Sequence, residues 1–215
     1  MATHEERSIT DGINRRSVLR GGLLIGAGVA TVGVASAALT VTAKAVSPQP
    51  NWAFCSFCCA LWYTANGSNG SCPSSGGGPQ GPSNAGHQKT PSYNYDLVNN
   101  SDGGTQGGQG NWYWCSQCQV LFPSLHTPSY CPATPYWKGP HKAGGSFEYY
   151  LLVATKPSTD PQTGWYWCNQ CQELFSEQGE GYCPDPNLTA QYGNPAHSNK
   201  GSDNYGLAWN GVFSY

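Results

Sequence analysis

"NWYWCSQCQVLF", residues 111–122, places two cysteines two residues apart, with Trp112, Tyr113 and Trp114 before them and Leu121 and Phe122 after. The phrase occurs twice more. Trp52 opens "WAFCSFCCALW" and Trp165 opens "WYWCNQCQELF". Each copy then reaches a third cysteine followed by proline: Cys72-Pro73, Cys131-Pro132 and Cys183-Pro184. Each next reaches one histidine, His87, His141 or His197. Four residues separate that histidine from a serine (Ser92, Ser146, Ser202), which opens "SYNYDL", "SFEYYL" or "SDNYGL". A repeat of this kind must be read before anything local, because each copy is one unit that buries its apolar face against the others.

The spacings separate rigid from variable parts. The C-x-x-C-x-x-L stretch and the His-to-Leu stretch keep their lengths. The gap between second and third cysteines holds 13, 12 and 11 residues, and the gap from third cysteine to histidine holds 14, 9 and 13. Insertions therefore fall in two loops per copy. Short alternating aromatic runs beside those loops read as strands. Segments such as "NNSDGGTQGGQGN" read as turns or linkers with no helical period. Charged residues make up only 10% of the chain, and 28 Gly and 16 Pro favour turn-rich β structure over helices.

Nine of the ten cysteines belong to the repeat, and Cys59 is the extra one. Three cysteines per copy cannot pair among themselves, so a disulfide framework would need Cys59 and at least one bridge between copies. A metal reading leaves none over. C-x-x-C sets two sulfurs on one tight turn, and a third cysteine and a histidine complete a four-coordinate Cys3His site of the kind zinc takes in structural roles. The expected ligand sets are Cys55, Cys58, Cys72 and His87; Cys115, Cys118, Cys131 and His141; and Cys168, Cys171, Cys183 and His197. Three zinc ions would then serve as structural cofactors. Disulfides with structural histidines remain the alternative. A thioredoxin-like redox role is disfavoured, since no C-x-x-C lies in a βαβ context.

The recurring rings are expected in the core: Trp52, Trp112 and Trp165 three residues before each first cysteine, Phe54, Trp114 and Trp167 immediately before it, and Tyr95, Tyr149 and Tyr205 near the far end. Small units with few aliphatics need large rings and a metal to be stable. Rings that do not recur suit ligand stacking on loops: Tyr63, Tyr130, Tyr136, Trp137, Tyr182 and Tyr192.

The N-terminus reads differently. Arg15-Arg16 precede a Gly/Ala/Val-rich run from Gly21 to Ala43, and Asn14–Arg20 is similar to a twin-arginine (Tat) export signal. "AKA" ending at Ala45 is the expected cleavage site, with "ASA" ending at Ala37 as the alternative. The Tat translocon is then a transient partner, the mature form has no stable membrane span, and its location is extracellular or cell-wall associated. Export of folded protein suits a metal site loaded inside the cell. All four arginines lie in this segment. The remainder carries five lysines against nine acids and no arginine, a net charge of −4. That excludes a nucleic-acid binder, which needs a basic surface for phosphates.

The consensus W-x-W-C-x-x-C-x-x-L-F…C-P…H…S-x-N-Y-x-L resembles a tandem repeat of secreted actinobacterial proteins, covering residues 52 to about 209. Copy 1 departs at Phe54, Cys59 and Trp62, and copy 2 at Glu148. The resemblance implies secretion and modularity and carries no activity.

The expected fold is all-β: an export signal at 1–45, then copies at 46–100, 101–158 and 159–215 in a closed pseudo-threefold, β-trefoil-like arrangement. The alternative is three zinc-stapled β beads in a row. The expected function is a secreted, non-catalytic binding module with a cell-wall or polysaccharide ligand. A small extracellular hydrolase is the second reading, and a zinc-buffering or envelope structural protein the third. No G-x-S-x-G, H-E-x-x-H or P-loop is present. The polar residues that break the repeat, His126, Asp160, Glu177 and Glu180, are the only catalytic candidates, and none is assigned.

Overall fold

Each copy folds alike because the same residue types recur at the same offsets. The aromatic run before the first cysteine forms a strand: β1 (Gln49–Phe54), β4 (Gln109–Trp114) and β7 (Gln162–Trp167). The leucine-aromatic pair after the second cysteine forms a short return strand: β2 (Leu61–Tyr63), β5 (Leu121–Pro123) and β8 (Leu174–Ser176). The Tyr-x-Leu segment after the histidine forms the third: β3 (Ser92–Asn99), β6 (Glu148–Val153) and β9 (Asn204–Ser214). The computed structural model describes residues 48–74, 86–89, 91–102, 108–154, 162–179, 181–192 and 195–214. The segment read as an export signal, with Arg15 and Arg16, lies outside them. Among the described residues, no helix is long and apolar enough to cross a membrane.

Within a copy, the first strand pairs antiparallel with both others. The hairpin registers are equivalent: Trp52↔Tyr63, Trp112↔Pro123 and Trp165↔Ser176. So are the partners on the other edge: Trp52↔Tyr95, Trp112↔Tyr149 and Trp165↔Tyr205. Each first strand carries a register shift just before its tryptophan. The residue there has positive φ: Asn51 at 72°, Asn111 at 66° and Gly164 at 88°. Gly has no Cβ penalty in this region and Asn tolerates it, which is why these residue types stand there.

The third strands join the copies. Asn99 pairs with Tyr149, Val153 with Tyr205, and Trp209 with Tyr95. Asn99, Val153 and Trp209 are equivalent positions, and so are the three tyrosines. One pairing relation is thus used three times, and the third use returns to the first copy. β3, β6 and β9 therefore close on one another in a nine-stranded sheet. The result is all-β and pseudo-threefold, trefoil-like in its symmetry, with three strands per copy.

A shared core follows from this closure. Trp52, Leu61, Tyr95 and Leu97, with their counterparts Trp112, Leu121, Tyr149 and Leu151 and Trp165, Leu174, Tyr205 and Leu207, form one buried cluster. Each tryptophan meets the tyrosine of a neighbouring copy edge to face. Trp52–Tyr149, Trp112–Tyr205 and Trp165–Tyr95 all have centroids 5.1 Å apart, at 81°, 81° and 83°. Each tyrosine hydroxyl then donates to the glutamine three residues before that same tryptophan: Tyr149 to Gln49, Tyr205 to Gln109 and Tyr95 to Gln162. Independent beads would share neither the rings nor these bonds.

Besides the 3-10 turn Asn100–Asp102 after β3, two elements among the described residues depart from the repeat. The loop before His141 holds a 3-10 turn, Pro135–Trp137, and the loop before His197 holds the short helix α1 (Pro186–Tyr192). These fill the variable segment between third cysteine and histidine.

Candidate metal centre

The hairpin between first and second strands carries the first two cysteines on a tight turn. In copy 2, Cys115 N donates to Val120 O and Gln119 N donates to Cys115 O, both at 2.9 Å. Copies 1 and 3 repeat both bonds at 2.9–3.0 Å. The residue after the second cysteine is left-handed in every copy: Cys59 at φ 64°, Gln119 at 73° and Gln172 at 76°. That reversal points both sulfurs to one side. In two copies the glutamine side chain has a further task, since Gln119 Oε1 accepts from Trp114 Nε1 (3.1 Å) and Gln172 Oε1 from Trp167 Nε1 (2.7 Å). In copy 1 both partners change together, to Phe54 and Cys59.

The histidine arrives on a segment bonded back to this turn. Ser56 N donates to Gln88 O, Ser116 N to Lys142 O and Asn169 N to Ser198 O. The invariant serine explains the fixed His-to-Leu length. Ser92, Ser146 and Ser202 each accept, through Oγ at 2.8 Å, the N–H of the aromatic residue just before the first cysteine. The ring that follows the leucine stacks on the imidazole: Trp62 on His87, Phe122 on His141 and Phe175 on His197, at 5.4, 4.9 and 4.7 Å.

Three four-residue groups result, composed as the spacing predicts: Cys55, Cys58, Cys72 and His87; Cys115, Cys118, Cys131 and His141; and Cys168, Cys171, Cys183 and His197. Within each, the candidate ligand atoms lie within 4.8 Å of one another. The first and third sulfurs are 3.8, 3.8 and 3.9 Å apart. The second sulfur is 3.4, 3.3 and 3.4 Å from histidine Nδ1. A disulfide needs about 2.05 Å, whereas a tetrahedron with metal–sulfur bonds of about 2.3 Å has an edge of about 3.8 Å. The separations match the tetrahedron. None of the ten cysteines is in a disulfide, and all ten are buried.

The electrostatics point the same way. In each group the first cysteine is held well below the usual thiol range. In copies 1 and 2 hydrogen bonds from the other two cysteines are the main cause; in copy 3 similar bonds overcome the burial of Cys168. Burial and these neighbours push the second cysteine well up. Burial disfavours a charged imidazole, yet bonds and charge from Cys55 and Cys72 lift His87 to about 10. Four converging donors favour a positive ion at their centre, which releases the imidazole and thiol protons when it binds.

The remaining candidates are placed as follows. Cys59 is buried outside the group of four, and burial pushes its thiol up to about 11. Trp137 (0% exposed) and Tyr182 (7%) correct the expectation of ligand platforms. Loops of neighbouring copies pack against each other there, and the two rings meet edge to face at 5.9 Å. Tyr136 is exposed, Tyr63 packs against Trp52 and Trp114, and Tyr130 Oη accepts from Asn187 Nδ2. The Tyr192 side chain lies outside what the structure describes, as do Asp160 and Glu180. His126 is exposed and lies over Trp167 with centroids 4.4 Å apart. Glu177 is exposed.

Two sets of functional positions were not singled out from sequence. Gln49, Gln109 and Gln162 stand three residues before each tryptophan, and that recurrence was available as a signal. Glu173 takes the place of Ala60 and Val120 and is fully buried. Burial raises its carboxyl above the usual range, opposed by the histidines facing it. No protein-family model, no curated protein and no solved structure matches this chain.

Proposed function

We propose that the protein is an exported, non-catalytic binding module whose fold is held by three structural zinc ions. The observation that carries the metal part is the threefold recurrence of a closed, buried Cys3His group with tetrahedral spacing. Zinc suits the donor set, because thiolate and imidazole favour it in four-coordinate sites. Four protein donors leave no coordination position for substrate, which supports a structural role over a catalytic one. Burial of the sulfurs also argues against a rapidly exchanging zinc store.

A cell-wall or polysaccharide ligand is the reading for the outer surface. A cleft of about 110 Å³ between copies 2 and 3 is lined by Trp167, His126 and Asp203, an aromatic face beside a carboxylate. Tyr136 adds an exposed ring. Rings and acids in this combination stack on and hydrogen-bond to sugars.

Three experiments test the reading. Native mass spectrometry of cytoplasmically folded protein, with a thiol count after metal removal, should give three zinc ions and ten thiols; a metal-free, fully oxidised chain refutes it. Replacing both Arg15 and Arg16 with lysine should trap the precursor inside, whereas unchanged secretion rules out the Tat route. Glycan-array binding by the metal-loaded protein tests the ligand.

A further inference from the structure

Glu173 brings a carboxyl group to a place where the other copies have Ala60 and Val120. It is 0% exposed, and neither carboxyl oxygen has a hydrogen-bond partner among the described residues. His141 Nε2 is also buried without a partner. These orphaned atoms face each other, with His141 Nε2 3.9 Å from Glu173 Oε1. The other oxygen, Oε2, is 3.9 Å from His197 Nε2.

The threefold relation shows what this contact lacks. Where copy 1 meets copy 2, His87 Nε2 lies 3.0 Å from Cys118 O and Tyr63 N donates to Gln119 O. Where copy 3 meets copy 1, His197 Nε2 lies 2.9 Å from Cys58 O and Ser176 N donates to Cys59 O. Where copy 2 meets copy 3, Pro123 stands at the donor position and has no N–H to give. His141 Nε2 reaches no carbonyl there. A third bond, Ser71 N to Cys118 O and Tyr182 N to Cys58 O at the other two contacts, survives here as Tyr130 N to Cys171 O at 3.3 Å. The carboxyl group occurs at this contact alone.

A histidine that holds a cation through Nδ1 keeps its proton on Nε2, and that N–H requires an acceptor to fix the ring. We propose that Glu173 is a positioning residue for the Cys115–Cys118–Cys131–His141 centre, its carboxyl accepting the His141 Nε2–H. His197 is already held by the Cys58 carbonyl, so His141 has the stronger need. A carboxyl offers an acceptor lone pair with or without its proton, so the role does not depend on its charge. A small closure of the 3.9 Å gap as Nδ1 takes the ion completes the bond. The inference rests on the metal reading above.

The test compares the zinc-loaded wild type with Glu173→Gln, which keeps an acceptor oxygen, and Glu173→Val, which copies Val120 and has none. Zinc transfer to a chelator and 15N-resolved NMR of the imidazole N–H groups are the readouts. Glu173→Val should hold one zinc of three about 10-fold more weakly or worse, the range seen when such outer partners are lost, and so give it up to the chelator first. Glu173→Gln should track the wild type. The His141 Nε2–H resonance should move in the valine variant only, and that of His87 should stay in place. Wild-type release and an unmoved His141 resonance in Glu173→Val overturn the positioning role while leaving the metal reading intact. A wild-type protein without zinc overturns both.

Discussion

Single positions divide into those the metal group needs and those it only passes by, and Cys58 and Cys59 show the division side by side. Cys58 lies 3.4 Å from His87 Nδ1, inside the group. Cys59 is turned away by its left-handed backbone, and its sulfur lies near Gly179 of copy 3. Cys59→Ser should therefore keep three metal ions by native mass spectrometry, while Cys58→Ser should keep two. Equal loss in both would mean that Cys59 is a ligand. The core tyrosines make a second prediction. Burial lifts Tyr205 from its ordinary value of 10 to about 12, and lifts Tyr95 and Tyr149 further. A raised folded value means that the unfolded chain loses the proton first. The stability these phenols contribute is complete below pH 10 and is lost as pH rises through about 12 and beyond. Tyrosinate absorbance and circular dichroism followed together should show them ionising only as the structure is lost. Their ionisation near pH 10 with the fold intact would refute this.

At the scale of elements, the hairpin turn and the histidine segment are two halves of one unit that the metal closes. Thiolate sites rarely exist in the unfolded chain, so the binding free energy of the ion is folding free energy. Cys118→Ser should loosen β4, β5 and β6 more than other strands in hydrogen exchange, and chelator should destabilise the wild type far more than reductant does. The opposite ranking would point to disulfides. These parts were legible in the sequence because each was written three times. Recurrence separated His87, His141 and His197 from His126, and it placed Trp52, Trp112, Trp165 and the three tyrosines inside, while Phe54, Trp114 and Trp167 are only partly buried against that core. Trp137 and Tyr182 were misjudged because lack of recurrence marks only what escapes the symmetry. A unique ring can be buried when unequal loops pack on one another, as these two do. The left-handed Asn51 and Asn111 and the bulges beside them were hidden because Asn is equally at home in ordinary turns.

The whole molecule is held by relations that run between copies, and these were the least visible in sequence. Linker composition permitted beads as well as a ring. What decides is where each copy places its partners: Trp52 sits on Tyr149, Trp112 on Tyr205 and Trp165 on Tyr95. Each copy therefore leans on the next, and the last leans on the first. In an open row, losing one tryptophan would weaken its own bead and leave another untouched. In the ring, each tryptophan fills a core to which all three copies contribute. Trp112→Ala should cost about 3–5 kcal/mol, the usual range for a large buried ring. That loss should lower one cooperative transition for the whole metal-loaded chain, and Trp52→Ala and Trp165→Ala should act to a similar extent. Calorimetry of the variants measures it. A biphasic melt, with one copy unfolding early while the other two keep their wild-type transition, would show that the copies are stable apart and that closure of β3, β6 and β9 contributes little to stability.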